Sequence, residues 1–137
     1  MFLQALERNR IEGHAGRLTG IDLDPTAGWL VPDRLRSHFD LVIEDSVAFL
    51  MRMAPECRID LFLHDSLHTY EHEMRENRAA GDRLAPGGVL LSDDAHATAA
   101  LSDFSMNNDR KYVFWRERPV GHFYPGAGIG ISLFRER

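Results

Sequence analysis

Four short apolar runs in this chain each stop at a carboxylate, and that recurrence constrains the fold more than any other feature. The runs are RLTGIDLD, DLVIED, RIDLFLHD and GGVLLSDD. Segments of helix-compatible pattern lie between them. Strands that alternate with helices form βαβ units, which build a mostly parallel sheet with helices on both faces. The runs are nearly continuous in apolar residues, as in strands covered on both faces. Two later runs, KYVFWRERP and GIGISLFRER, have no helix between them. They are expected to form a C-terminal antiparallel hairpin at one edge of an α/β sheet.

The helices are read from spacing and from breakers. Phe2, Leu3, Leu6 and Ile11 make a weak stripe closed by Gly13. PTAGWLVPDRLRSHF is a helix or turn region broken by Pro32, and SVAFLMRM is an apolar helix ending before Pro55. Thr69 to Leu84 carries the strongest pattern, with Tyr70, Met74 and Leu84 on one side. Pro86-Gly87-Gly88 reads as a turn, and AHATAALSDFSMNN holds a short helix. Trp29, Trp115 and Tyr70 are expected in the core. At 137 residues, positions 1–137 are expected to form one domain.

Charge and composition exclude several functions. A formal net charge of −5 gives no support to nucleic-acid or anionic-membrane binding. The one cysteine, Cys57, has no partner for an internal disulfide. No apolar run approaches the roughly 20 residues of a membrane span. The start is charged by Glu7 and has no cleavage-like site, so no signal peptide is read and a cytoplasmic location is expected.

Ligands of open α/β sheets bind beyond the carboxyl ends of the strands. Those ends present Asp22 and Asp24; Glu44, Asp45 and Ser46; His64, Asp65, Ser66 and His68; then Ser92, Asp93, Asp94 and His96. One acid there simply caps the following helix. Four ends in succession suggest a site, and the adjacent acids Asp93 and Asp94 repel unless a cation or donors offset them.

The ordered set GIDLDP, DLVIEDSVAFL, IDLFLHDSLHTYE and LAPGGVLLSDDA resembles the class I S-adenosylmethionine-dependent methyltransferases. Among them it is most similar to the metal-dependent small-molecule O-methyltransferases related to catechol O-methyltransferase (methyltransferase family 24). The resemblance implies a Rossmann-like fold, S-adenosylmethionine as cofactor and methyl transfer to a hydroxyl of a small metabolite. It implies that Asp22 holds the cofactor ribose and that Asp45 and Ser46 lie near the adenine. It implies Mg2+ or a similar divalent cation at Asp65, Asp93 and Asp94, which would activate and orient the substrate hydroxyl. His68 falls where the catechol enzymes carry a lysine base, so His68 and Asp65 are the expected catalytic residues, with His96 a second candidate base.

The family's opening strand and glycine-rich turn have no match here; MFLQALERNR corresponds to the helix after that turn. The chain therefore reads as N-terminally truncated, whether as a fragment, as a chain completed by a partner's strand, or with the flanking strands paired directly. In the family order 3-2-1-4-5-7-6 the unmatched strand is central, so the strands at Gly20 and Leu61 would lose their shared neighbour. Weak or no binding of S-adenosylmethionine is expected. The alternative reading is a non-catalytic methyltransferase-fold protein, acting as an oligomeric or binding module. A metal-dependent hydrolase is a third, less supported by the pattern.

Three other features have competing readings. PGAGIGIS, with Gly126, Gly128 and Gly130, mimics a dinucleotide fingerprint but precedes a strand rather than opening a helix, which favours a hairpin connection. His64, His68 and His72 have zinc-like spacing, but His64 belongs to a strand, so they do not share a helix face. His72 is expected in solvent, and His64 at a strand edge on an unassigned side. Phe123 and Tyr124 are candidates for a pocket mouth.

Overall fold

In the computed structural model, residues 1–123 and 126–135 are described. The architecture is the expected α/β one, with parallel strands, intervening helices and a C-terminal antiparallel hairpin. Contacts divide the chain into two compact units, Met1–Phe49 and Leu50–Arg137.

The first unit begins with α1 (Phe2–Ile11), which buries no residue fully. β1 (Leu18–Asp22) and β2 (Phe39–Ile43) pair in parallel, from Leu18 opposite Phe39 to Asp22 opposite Ile43. Arg17 clamps Asp40 across this pair with two hydrogen bonds of 2.6 and 2.5 Å. The segment broken by Pro32 forms a 3-10 helix over Asp33–His38. His38 is buried there, and its Nε2 lies 2.8 Å from Glu7 Oε2 on α1. Arg10, and then His38, hold the Glu7 carboxyl down at about 2. α2 (Ser46–Arg52) follows β2 and runs into the second unit.

The second unit holds most of the buried residues. Its sheet has the order β3 (Ile59–His64), β4 (Leu84–Ser92), β6 (Gly128–Phe134), β5 (Arg110–Arg116). β3 and β4 are parallel, with His64 opposite Ser92; β6 runs antiparallel to both β4 and β5. α3 (Tyr70–Gly81) and α4 (Ala100–Asn107) pack on each other, and Leu50, Met74, Ala80, Leu90, Leu101 and Phe104 form the apolar core.

Several expectations are corrected. α3 ends at Gly81, and Leu84 belongs to β4 rather than to the helix. Pro86-Gly87-Gly88 does not separate helix from strand: it lies within β4, where the register jumps between Ile59–Leu84 and Leu61–Val89. β3 is an edge strand, and Leu61 and Leu63 are exposed, so it is not covered on both faces. Trp29, Trp115 and Tyr70 are exposed, not core. Gly128 and Gly130 lie inside β6, where a Cβ on Gly130 would come within 2.7 Å of Ala95 Cβ. Those glycines serve close packing in a strand, not a phosphate turn. Phe123 is exposed, and Tyr124 lies outside the described residues.

Among the described residues, the strands at Gly20 and Leu61 each have one paired neighbour. The sheet orders are β1-β2 and β3-β4-β6-β5, which in family numbering read 3-2 and 4-5-7-6. No helix among the described residues is long and apolar enough to cross a membrane.

Candidate functional site at the carboxyl ends of the strands

The parallel ladders bring the acids of each unit to one end of its sheet. In the first unit Asp22 closes β1, and its carbonyl accepts the Glu44 N–H at 3.0 Å, which holds the two strand ends level. Asp22 Oδ1 accepts from the Asp24 N–H at 2.9 Å. Asp24 itself accepts from the Thr26 N–H and hydroxyl, and those bonds lower its pKa. Asp45 Oδ1 accepts from the Ala48 N–H at 2.9 Å, so it caps α2, and Ser46 is the first residue of that helix. Asp22 and Asp45 are exposed, with at least one oxygen of each engaged by backbone.

In the second unit the Asp93 N–H donates to the His64 carbonyl at 2.9 Å, extending the β3–β4 ladder by one bond past the strands. Asp65 follows β3 and is exposed, with Oδ1 3.8 Å from His68 Nε2. Asp94 takes a left-handed backbone (φ 44°), and its carbonyl accepts the Ala97 N–H at 2.8 Å. His96 is exposed, with Nδ1 4.0 Å from Asp94 Oδ1. The backbone thus carries Asp65, Asp93 and Asp94 to neighbouring strand ends. Among the described residues, however, no three His, Cys, Asp or Glu side chains are assembled as a ready metal-binding group.

Directly beneath this end lies a buried polar cluster that the sequence reading missed. His64 is 1% exposed, Glu73 2% and Glu76 1%. His64 Nδ1 is hydrogen-bonded to Glu76 Oε2, and the Ser66 hydroxyl donates to the same carboxyl group at 3.1 Å. Glu73 accepts from Ser92 Oγ at 2.8 Å and from Thr98 Oγ1 at 2.5 Å. His72, expected in solvent, is largely covered, with Nε2 3.3 Å from Glu76 Oε1. The three histidines do not share a helix face, as expected, yet the strand-to-helix turn brings their rings together: that of His64 lies 5.0 Å from that of His68 and 6.5 Å from that of His72. Helical spacing alone did not mark this face as buried. Glu73, Glu76, Asn77 and Ala80 recur at helical spacing and form the buried face of α3, a polar stripe where an apolar one was sought.

A cleft of about 770 Å³ lies elsewhere, lined by residues that include Arg78, Leu84, Phe104, Arg110 and Phe134. Leu84 and Arg110 begin their strands and Phe134 ends the antiparallel β6, so the cleft sits at the sheet end opposite Asp65 and Asp93.

Comparison with known proteins gives a consistent result. A family described as a methyltransferase domain (methyltransferase family 24) matches residues 1–95. No curated protein matches the chain. Among solved structures, the N-methyltransferase NodS from Bradyrhizobium japonicum WM9 superposes with a TM-score of 0.63 at 16% identity, covering 94% of this chain and 79% of that one. An rRNA methylase from Streptococcus thermophilus gives 0.62 at 12% identity, covering 95% and 80%. The O-methyltransferase TomG from Streptomyces achromogenes, solved with S-adenosylmethionine, gives 0.62 at 12% identity, covering 88% and 63%. At these identities the superpositions establish a shared fold.

Proposed function

The chain belongs to the methyltransferase-domain family, and on that premise we propose that it transfers a methyl group from S-adenosylmethionine to a hydroxyl of a small metabolite. The observation that carries this reading is the level ending of β3 and β4, which sets Asp65, His68 and Asp93 at one edge. In the reaction the acceptor oxygen attacks the sulfonium methyl, an O–C bond forms, the S–C bond breaks with its electrons on sulfur, and the hydroxyl proton leaves. His68 is the residue for that proton, since its Nε2 lies beside the Asp65 carboxyl group, which would stabilise an imidazolium. Asp22 would accept from the ribose hydroxyls and Asp45 and Ser46 would flank the adenine. Much of the catalytic gain would come from holding methyl and oxygen in line. Mg2+ at Asp65, Asp93 and Asp94 stays an expectation of the resemblance, and no step is assigned to it.

The test is formation of S-adenosylhomocysteine from saturating S-adenosylmethionine with a panel of hydroxylated aromatic and aliphatic acceptors. Acceptor-dependent product that is abolished by Asp22→Ala is the expected result. Turnover unaffected by Asp22→Ala would overturn the assignment. Loss of turnover in a chelator, restored by Mg2+, would establish the ion. A second reading, a non-catalytic binding module, is favoured by one observation: β1 and β3 belong to separate sheets rather than flanking a common strand. Calorimetric titration with S-adenosylmethionine should then show weak or no binding, and micromolar affinity would exclude it.

A further inference from the structure

One buried carboxylate is tied to both ends of the segment that carries Asp93, Asp94 and His96. Glu73 lies on the covered face of α3 and is 2% exposed. Its Oε1 accepts from Ser92 Oγ at 2.8 Å, and its Oε2 accepts from Thr98 Oγ1 at 2.5 Å. Ser92 is the last residue of β4, directly before Asp93. Thr98 stands just before α4, and its Oγ1 accepts the Ala100 N–H at 3.1 Å. The end of β4 and the start of α4 are thus joined to α3 through one side chain. Between the two anchors the backbone is tightly folded. The Ala97 N–H donates to the Asp94 carbonyl at 2.8 Å, and the Ala95 N–H donates to the Gly128 carbonyl at 3.0 Å. Asp94 has a left-handed backbone there, with φ 44°. Such a conformation is unfavourable for a residue with a Cβ and persists where its surroundings over-determine it.

Packing alone does not explain an acid at this place. Burying a carboxylate is costly, and apolar side chains of similar volume would fill the space without that cost. What a carboxylate adds is direction, because each of its two oxygens fixes one hydroxyl by a charge-assisted bond. We propose that Glu73 is a positioning residue, which through Ser92 and Thr98 sets the conformation of residues 93–98 and so holds Asp93 at the strand end beside Asp65. Buried beneath the strand ends, it acts through that segment and not on the reacting atoms. The inference rests on the reading of these strand ends as the place of methyl transfer.

The test removes each anchor hydroxyl in the full chain and reads the segment directly. Thr98→Val deletes one anchor. Ser92→Ala deletes the other and leaves the Thr98–Ala100 bond in place. In native-state hydrogen exchange followed by NMR, both should speed exchange of the Ala95 and Ala97 amides by roughly tenfold to a hundredfold, the worth of a hydrogen bond to a charged group. The amide of Leu90, in the core of β4, should change far less, and Thr98→Ser, which keeps the hydroxyl, should restore protection at Ala95. Unchanged exchange of Ala95 and Ala97 in both deletions would overturn the proposal. So would an increase that Leu90 shares in full, since that reports general loosening, or a failure of Thr98→Ser to restore protection. With turnover as readout, Thr98→Val should lower kcat and leave the KM for S-adenosylmethionine unchanged, because Asp22, Asp45 and Ser46 belong to other strand ends. A loss confined to that KM would count against it. Absence of turnover in the unmodified chain would defeat the methyltransferase reading by itself, and the exchange pattern would still decide whether Glu73 sets the segment.

Discussion

At the scale of single residues, the second unit depends on polar groups buried where apolar ones are usual. Glu76 accepts from His64 and from Ser66, and its side chain is almost wholly covered. Truncating it leaves His64 Nδ1 with no carboxyl partner beneath the strand end. Glu76→Ala should therefore destabilise the chain by about 3 kcal/mol, near the cost of breaking a buried pair. Urea denaturation measures it, and a loss below about 1 kcal/mol would mean that water reaches the site. Gly130 makes a separate prediction. A methyl there would press on Ala95 Cβ at 2.7 Å and on Leu101 Cδ2 at 3.1 Å. Gly130→Ala should cost about 1–3 kcal/mol by overpacking, whereas an added Cβ at Gly87 meets nothing within 4 Å and is penalised only for its left-handed backbone.

At the scale of elements, helix ends carry much of the local specificity. Thr69 caps α3, its hydroxyl accepting the His72 N–H, and Thr69→Ala should lower stability by about 1 kcal/mol. In the first unit, α1 is held to the 3-10 helix by Glu7, whose carboxyl has a folded pKa of about 2 against an ordinary 4.5. A depressed carboxyl pKa contributes stability above the unfolded value and loses it as pH falls through the folded one. The stability that Glu7 contributes, first through Arg10 and then through His38, should thus be fully present above about pH 5 and lost between about 4.5 and 2. Carbon-detected NMR titration of the Glu7 carboxyl should show a midpoint near 2; a midpoint near 4.5 would mean that Arg10 and His38 do not engage it.

These elements also mark how much could be read in advance. Each apolar run became a strand because a run of branched and aromatic residues bounded by Pro, Gly or acids has few other uses. The strand ends were legible for the same reason, and Asp93 does sit beside the end of β3. Side-chain orientation was not legible. His64 reads as a strand-edge residue of unassigned side, with Glu73 on the following helix, yet a strand-to-helix turn brings the two side chains within 4.0 Å, both buried. Spacing along one helix cannot reveal a contact made between a strand and the helix after it. The exposure of Trp29 and Trp115 was missed because residue type alone suggested core.

At the scale of the whole molecule, the two units have unequal means of support. The first has a sheet of two strands, and its buried residues are Leu35, His38 and Val47. A two-stranded sheet is marginal without further packing. The second has four strands, two helices packed together and the apolar core around Leu50, Leu90, Leu101 and Phe104. Local opening free energies follow such differences in burial and in the number of neighbouring strands. In native-state hydrogen exchange, the amides of Leu90 and Ile131 within the β4–β6–β5 ladder should open only on global unfolding. Those of Ile21 and Val42 in the β1–β2 pair should exchange faster and with little dependence on low denaturant. Equal protection in both ladders would show that the two-stranded sheet is completed by pairing in solution. Protection of Ile21 that rises with chain concentration would identify a second copy as the source, which is the behaviour expected of a chain acting as an oligomeric module.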